Sequence, residues 1–264
     1  MHSLEKELEI IAKWEAEQED LWFWEKLGRL PFAILDKITP RFVHEWLGKA
    51  LDELGAYIQT GGQYLIRDTR VLQRLATEAS VDPTTLSLTD VRTLPIDAMN
   101  RTAEALKESQ VQLATYQGAA TGIGGVFTLA IDIPVLLGLS LKAAQEMALS
   151  YGYDPRERSE RIFIVQCLQF ASSDYVGKQA ILQNLSNFHT ENAARESISQ
   201  FQGWREVIAT YRDNFGWKKL FQLVPIAGIL FGAWINKSTV KEVAEAAQML
   251  YRKRRVLEKQ EFLQ

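Results

Sequence analysis

The residue with the most chemical interest is Asp132. It sits in Gly118 to Leu141, GAATGIGGVFTLAIDIPVLLGLSL, the most apolar and most Gly-rich stretch of the chain. A carboxylate between Ile131 and Ile133 must be paired, capped by backbone N–H groups or protonated, because burying it unpaired costs on the order of several kcal/mol. In a structural role Asp132 caps a kink at Pro134 or pairs with Arg158 or Arg161. In a catalytic role it is an acid of raised pKa, working with Glu157, Arg158 or Arg161 in a helical cleft of a hydrolase-like enzyme. The structural role is the simpler one. A second group of chemically active side chains is the run Arg252, Lys253, Arg254, Arg255, with Lys259 beyond it. Such a run near apolar elements attracts anionic lipid. It also complements the dipole of a helix C-terminus without any partner.

Other chemistry fails on residue type or spacing. The three histidines, His2, His44 and His189, fall in separate segments with no metal-ligand spacing, and one cysteine, Cys167, cannot build a zinc site. Cys167 lies in an apolar stretch with no histidine near it in sequence, so an inert core thiol is expected. Gly122-Ile123-Gly124-Gly125-Val126-Phe127 has Phe where a dinucleotide fingerprint needs its third Gly, and no strand precedes it. No phosphate-binding loop and no nucleophile elbow is present. No cofactor or metal is expected.

The elements that carry these residues are helical throughout. Leu4 to about Glu19 is expected to be a helix, followed by Trp22, Phe23 and Trp24, which can pack on a bundle or sit at a membrane interface. Thr39-Pro40 opens a helix that Gly61-Gly62 ends. Pro95 starts a long helix reaching about Tyr116. Gly122, Gly124 and Gly125 turn the chain into an antiparallel helix from Val126 to Ser150, kinked near Ala130 by Pro134. Gly152 suits the position just past that helix. Asp154-Pro155 opens a helix whose middle, Ile162 to Val165, is apolar on all sides and therefore buried. Asn236 and Lys237 are expected to break the chain, with Ser238-Thr239 capping a separate last helix. No segment alternates at period two. The fold class is all-α, a single-domain bundle of about nine to eleven helices over 1–264.

Gly118 with Gly122, and Gly228 with Gly232, repeat at Gly-x-x-x-Gly spacing, which lets another helix approach closely. The two apolar helices that hold them are placed at the centre of the bundle. Asp132, Pro134 and Pro225 argue against membrane-spanning helices. At 264 residues, 47% hydrophobic and 24% charged, the chain can bury a sizeable core. Its net charge of −3 gives no reason to expect nucleic acid. The mixed-charge N-terminus does not read as a signal peptide, and the single cysteine suits a reducing compartment.

The order of motifs resembles the EcsC family. The matching pieces are Gly118 to Pro134, Leu137 to Asp154, the charged Arg156 to Arg161, Val224 to Asn236 and Ala244 to Arg254. They cover roughly 90–255, with 1–30 a peripheral Trp-rich helix. The family is named for a bacterial protein encoded beside an ABC transporter, and its biochemical function is not established. The resemblance therefore implies an intracellular or membrane-associated accessory protein and supplies no catalytic residues. The leading expectation is a non-enzymatic helical protein, cytosolic or peripheral on the inner face of the cell membrane. Its partner is an anionic membrane surface or a membrane protein such as an ABC transporter. Trp22, Phe23, Trp24, Arg252, Lys253, Arg254 and Arg255 are the surface candidates. The alternatives are the enzyme built on Asp132 and a carrier of a hydrophobic ligand.

Overall fold

The computed structural model describes residues 2–18, 53–122, 126–172, 178–179, 181–182 and 225–262. Within these, the side chains of 2–3, 121–122, 126–134, 172, 225–233 and 235 are outside the description. All regular elements among the described residues are helical, so the all-α class holds. Eight helical elements are bounded there, against nine to eleven expected for the whole chain.

α1 (His2–Glu17) presents Leu4, Glu7, Ile11 and Trp14 to the interior at alternating steps of three and four, one helical face. Residues 53–60 are helical and bury Leu54, Tyr57 and Ile58. They end where Gly61 takes φ 77°, a conformation that favours glycine. A single 3-10 turn (Gly62–Tyr64) leads to α2 (Thr69–Ala79), whose face Val71, Leu75 and Ala76 is buried. A turn in which Asp82 accepts hydrogen bonds from the Thr84 N–H and hydroxyl leads to α3 (Leu88–Val91). A Ser87–Asp90 capping box satisfies the start of α3.

α4 (Ile96–Gly122) and α5 (Val126–Ser150) form the long antiparallel pair. α5 runs unbroken through Pro134 at the level of its backbone. It ends in a left-handed cap: Gly152 has φ 79°, its N–H donates to the Leu149 carbonyl, and the Tyr153 N–H donates to Ala148. α6 (Arg158–Ser172) starts later than Asp154-Pro155 suggested, because residues 154–157 first make a turn closed by Glu157 N–H to Asp154 O. Ile162, Phe163, Ile164 and Val165 are all buried, as an all-round apolar stretch requires.

The last helix, α7 (Pro225–Glu261), corrects the expected break at Asn236 and Lys237. No glycine or proline interrupts that junction. Asn236 is buried, and the Ser238 hydroxyl donates to Glu242 one turn on rather than opening a new helix. The result is a rod about 55 Å long at 1.5 Å per residue. It packs against α1, α4, α5 and α6. Lys107 meets Gln248, while Ala114 lies beside Val240 and Ala244, so α7 runs antiparallel to α4. The main core surrounds the C-terminal half of α7. A small separate cluster, Ala114, Leu136, Ala143, Val240 and Ala244, is made by α4, α5 and α7 alone.

A Cβ on residue 152 would lie 3.2 Å from Val91 Cβ and 3.3 Å from the Arg92 backbone nitrogen. Gly152→Ala therefore combines a strained left-handed residue with a crowded one. It should lower unfolding stability by about 1–2 kcal/mol in a denaturant titration. An unchanged midpoint would contradict the cap.

Candidate functional site

Four consecutive residues on an α-helix point in four directions, because each step turns about 100°. Arg252, Lys253, Arg254 and Arg255 therefore cannot form a one-sided patch. Arg252 and Lys253 reach α1, Arg254 reaches α6, and Arg255 reaches the end of α5. Arg252 Nε donates to Glu7 Oε2 of α1, in a pair whose side chains are 11% and 8% exposed. Asn100 of α4 donates to the same carboxylate at 3.1 Å and accepts from the Tyr151 hydroxyl at 2.8 Å. Lys253 Nζ donates to Glu15 at 2.7 Å, and Trp14 Nε1 donates to Glu245 at 3.1 Å. α1 is thus fastened to α7 along its length.

Arg254 turns the other way. Its Nη1 donates to Glu160 Oε1 of α6 at 2.7 Å, and the Tyr251 hydroxyl donates to Oε2 at 3.2 Å. Its guanidinium lies 4.1 Å from the centre of the Tyr153 ring. Burial pushes the Glu160 carboxyl up, and Arg254 pulls it back. Burial also opposes the Arg254 charge, but Glu160 and the Tyr153 and Tyr251 hydroxyls outweigh it, and the guanidinium stays protonated. Arg255 donates to the Tyr151 carbonyl at 2.9 Å and to Glu258 at 2.7 Å. Lys259 donates to the carbonyls of Arg92 and Leu94. The basic run ties five segments together, with the charged heads turned to carboxylates and carbonyls.

Of the residues grouped with Asp132, the side chains of Glu157, Arg158 and Arg161 are described, and they go to separate surroundings. Glu157 and Arg158 are exposed at the start of α6. Arg161 is buried and donates to the carbonyls of Ile58 at 3.0 Å and Gln59 at 2.9 Å, and to that of Arg156. It caps the open end of helix 53–60. Asp132 belongs to the N-terminal third of α5, with its side chain outside the described residues. Some 27 Å of helix, at 1.5 Å per residue, separates it from the Ser150 end, beyond which α6 begins. Cys167 is fully buried, and burial pushes its thiol well up. No group of metal-ligating side chains is found among the described residues. Trp22, Phe23 and Trp24 lie outside the described residues, as do His44 and His189. Gly118 is buried near the end of α4. Gly122, Gly228 and Gly232 are helical, with their surroundings outside the description.

The surface that spacing did not single out lies at the other end of α7. Large apolar side chains are exposed there on all three helices of the small cluster: Leu113 (45%) and Tyr116 (76%) on α4, Val135 (38%) on α5 and Trp234 (57%) on α7. The antiparallel register places them around the same end, where the helices continue into their most apolar sequence, 126–134 and 225–233. No helix among the described residues is long and apolar enough to cross a membrane. The signal was present in the sequence: at helical spacing, Ala114, Ala143 and Ala244 leave the adjacent large residues on the outer faces.

Arg254→Met should leave Glu160 buried without a cation and destabilise the fold by about 3–5 kcal/mol. Adding Glu160→Gln should recover much of that loss. A double-mutant cycle by chemical denaturation measures both, and additive effects would contradict direct coupling.

Comparison with known proteins places this architecture. The model of the EcsC protein family matches residues 5–256, so it includes α1 and reaches well beyond the 90–255 carried by the motifs. The chain is 51% identical over 256 residues to "Uncharacterized protein YdbA" of Bacillus subtilis (strain 168), covering 97% of this chain and 94% of that protein. It is 30% identical over 162 residues to "Protein EcsC" of the same organism, covering 61% and 66%. No solved structure matches it. The chain belongs to the EcsC protein family.

Proposed function

We propose that this chain is a non-enzymatic helical accessory protein that docks on the inner face of the cell membrane through the apolar end of α4, α5 and α7. The observation that carries this reading is the exposure of Leu113, Tyr116, Val135 and Trp234 on three adjoining helices. Large apolar groups exposed around one end of a bundle suit an interaction surface better than isolated ones do. Tyr and Trp suit the boundary between headgroups and hydrocarbon, each having an apolar body and one polar atom. Lys237 and Lys241 are exposed along the same half of α7 and can meet anionic headgroups. The basic run 252–255 contributes to the fold, so the attraction to lipid here is mainly apolar. Trp22, Phe23 and Trp24 are a second anchor in this proposal. A membrane protein such as an ABC transporter is the alternative partner for the same surface.

Flotation of the native chain with phosphatidylglycerol vesicles tests the proposal. Binding is expected to survive moderate salt. Tyr116→Ser with Trp234→Ser should weaken it at least about tenfold, the loss of one to two kcal/mol of apolar transfer. Binding that salt abolishes, or that the double variant leaves intact, would contradict docking through this end. Absence of vesicle binding together with capture of a membrane protein would assign the surface to a protein partner.

A further inference from the structure

Each well-buried carboxylate facing the C-terminal half of α7 has a cation. Glu7 has Arg252 and Glu160 has Arg254. Glu146, on α5, differs. It is 2% exposed, and no lysine or arginine among the described residues lies within 4.0 Å of its oxygens. Its partner is Gln110 of α4, 1% exposed, whose Nε2 reaches both carboxyl oxygens at 2.9 and 3.0 Å. The other end of that amide, Gln110 Oε1, is buried with no donor among the described residues. Thr102 Oγ1 and Ser140 Oγ, buried on the same two helices, also have no partner among the described residues.

An ionised Glu146 fits this setting badly. Two negative oxygens would share one amide nitrogen, and the orphaned amide oxygen would add to the negative field. A neutral acid supplies the missing donor. Its O–H can meet Gln110 Oε1 while Nε2 donates to the carboxyl C=O, a two-bond ring that uses both ends of both groups after a small rotation of the amide. We infer that Glu146 is held as a neutral acid in such a ring with Gln110, and that the pair is a proton-operated catch between α4 and α5.

The surroundings agree. Burial pushes the Glu146 carboxyl up; the Gln110 bond, Lys142 and Arg70 pull the other way without overcoming it. Lys142 stands one turn earlier on α5. Arg70 of α2 is exposed and donates to Ser109 at 3.2 Å. The nearest charged groups of α4 and α7 are engaged with one another: Lys107 holds Glu104 at 2.7 Å and Gln248 at 3.0 Å, and Lys241 also acts on Glu104. The catch lies one turn before Leu113, where α4 passes from the main core to the small cluster. Losing the proton places a bare charge at that junction and loosens the joint that carries the apolar end.

The sign follows from linkage. A carboxyl raised on folding contributes its full stability below its unfolded pKa, near 4.3. That contribution declines as pH rises toward the folded value. Glu146→Gln keeps the shape and offers an amide–amide pair without titrating. Its thermal midpoint should match the native chain near about pH 4 and exceed it by about 3 °C or more near about pH 8. A difference that is constant with pH, or a variant less stable at every pH, would overturn the inference. The side-chain carboxyl carbon of Glu146 in the native chain, followed by NMR, reads the proton directly and does not depend on the variant folding. A midpoint well above ordinary glutamate is expected. A midpoint at or below the ordinary value would overturn it.

Discussion

The burial of Glu160 against Arg254 is the constraint on which the rest of the bundle depends. Two charges taken out of water are tolerated only with close geometry and further hydrogen bonds. Tyr251 supplies one such bond and the Tyr153 ring covers the guanidinium. Meeting that requirement fixes the rotation of α7 about its own axis. Once Arg254 faces α6, its neighbours at about 100° intervals must face α1 and the end of α5. Glu7, Glu15 and the Tyr151 carbonyl are there to receive them. A polar set of this kind specifies one register among several that apolar packing alone would accept.

The two halves of α7 are consequently held in different ways. The C-terminal half is enclosed by α1, α4, α5 and α6, with Phe163, Tyr151 and Tyr251 filling the space between helices. In the small cluster α7 meets α4 and α5 through Val240 and Ala244. Small side chains bury little area, so that cluster contributes less apolar stabilisation per turn. It also leaves Trp234 and Tyr116 on outer faces. A firmly specified base carrying exposed apolar side chains at the other end is the arrangement on which the proposed docking rests. The Gln110–Glu146 pair stands at the boundary between the two.

Much of this fold is legible in the sequence. The limits of α5 follow from Gly125 and Gly152, and the burial of α6 follows from Ile162 to Val165. The continuous α7 is not legible at Asn236 and Lys237, because polar residues suggest a break only when they face water, and Asn236 is buried in the assembled bundle. The basic run misleads for a related reason. Read along the chain, 252–255 is a patch; read around a helix, it is four separate contacts. Its acidic partners were visible in hindsight: Glu7 occupies a stripe position between Leu4 and Ile11, and Glu160 directly precedes the apolar stretch of α6. Asp132 is the lone charge of the apolar stretch, and its side chain lies outside the described residues. A buried carboxylate without a cation stands at Glu146, hidden in the sequence by the ordinary-looking KAAQEMALS around it.

The most direct test of the account is backbone hydrogen exchange of the native chain, with and without anionic vesicles, read segment by segment. The account predicts that lipid slows exchange in 111–122, 126–138 and 225–238 and leaves 249–256 and α1 unchanged. Slowing at 249–256, or faster exchange in α1 as it releases Arg252 and Lys253, would place the working surface on the basic run and contradict the assignment of those cations to the fold.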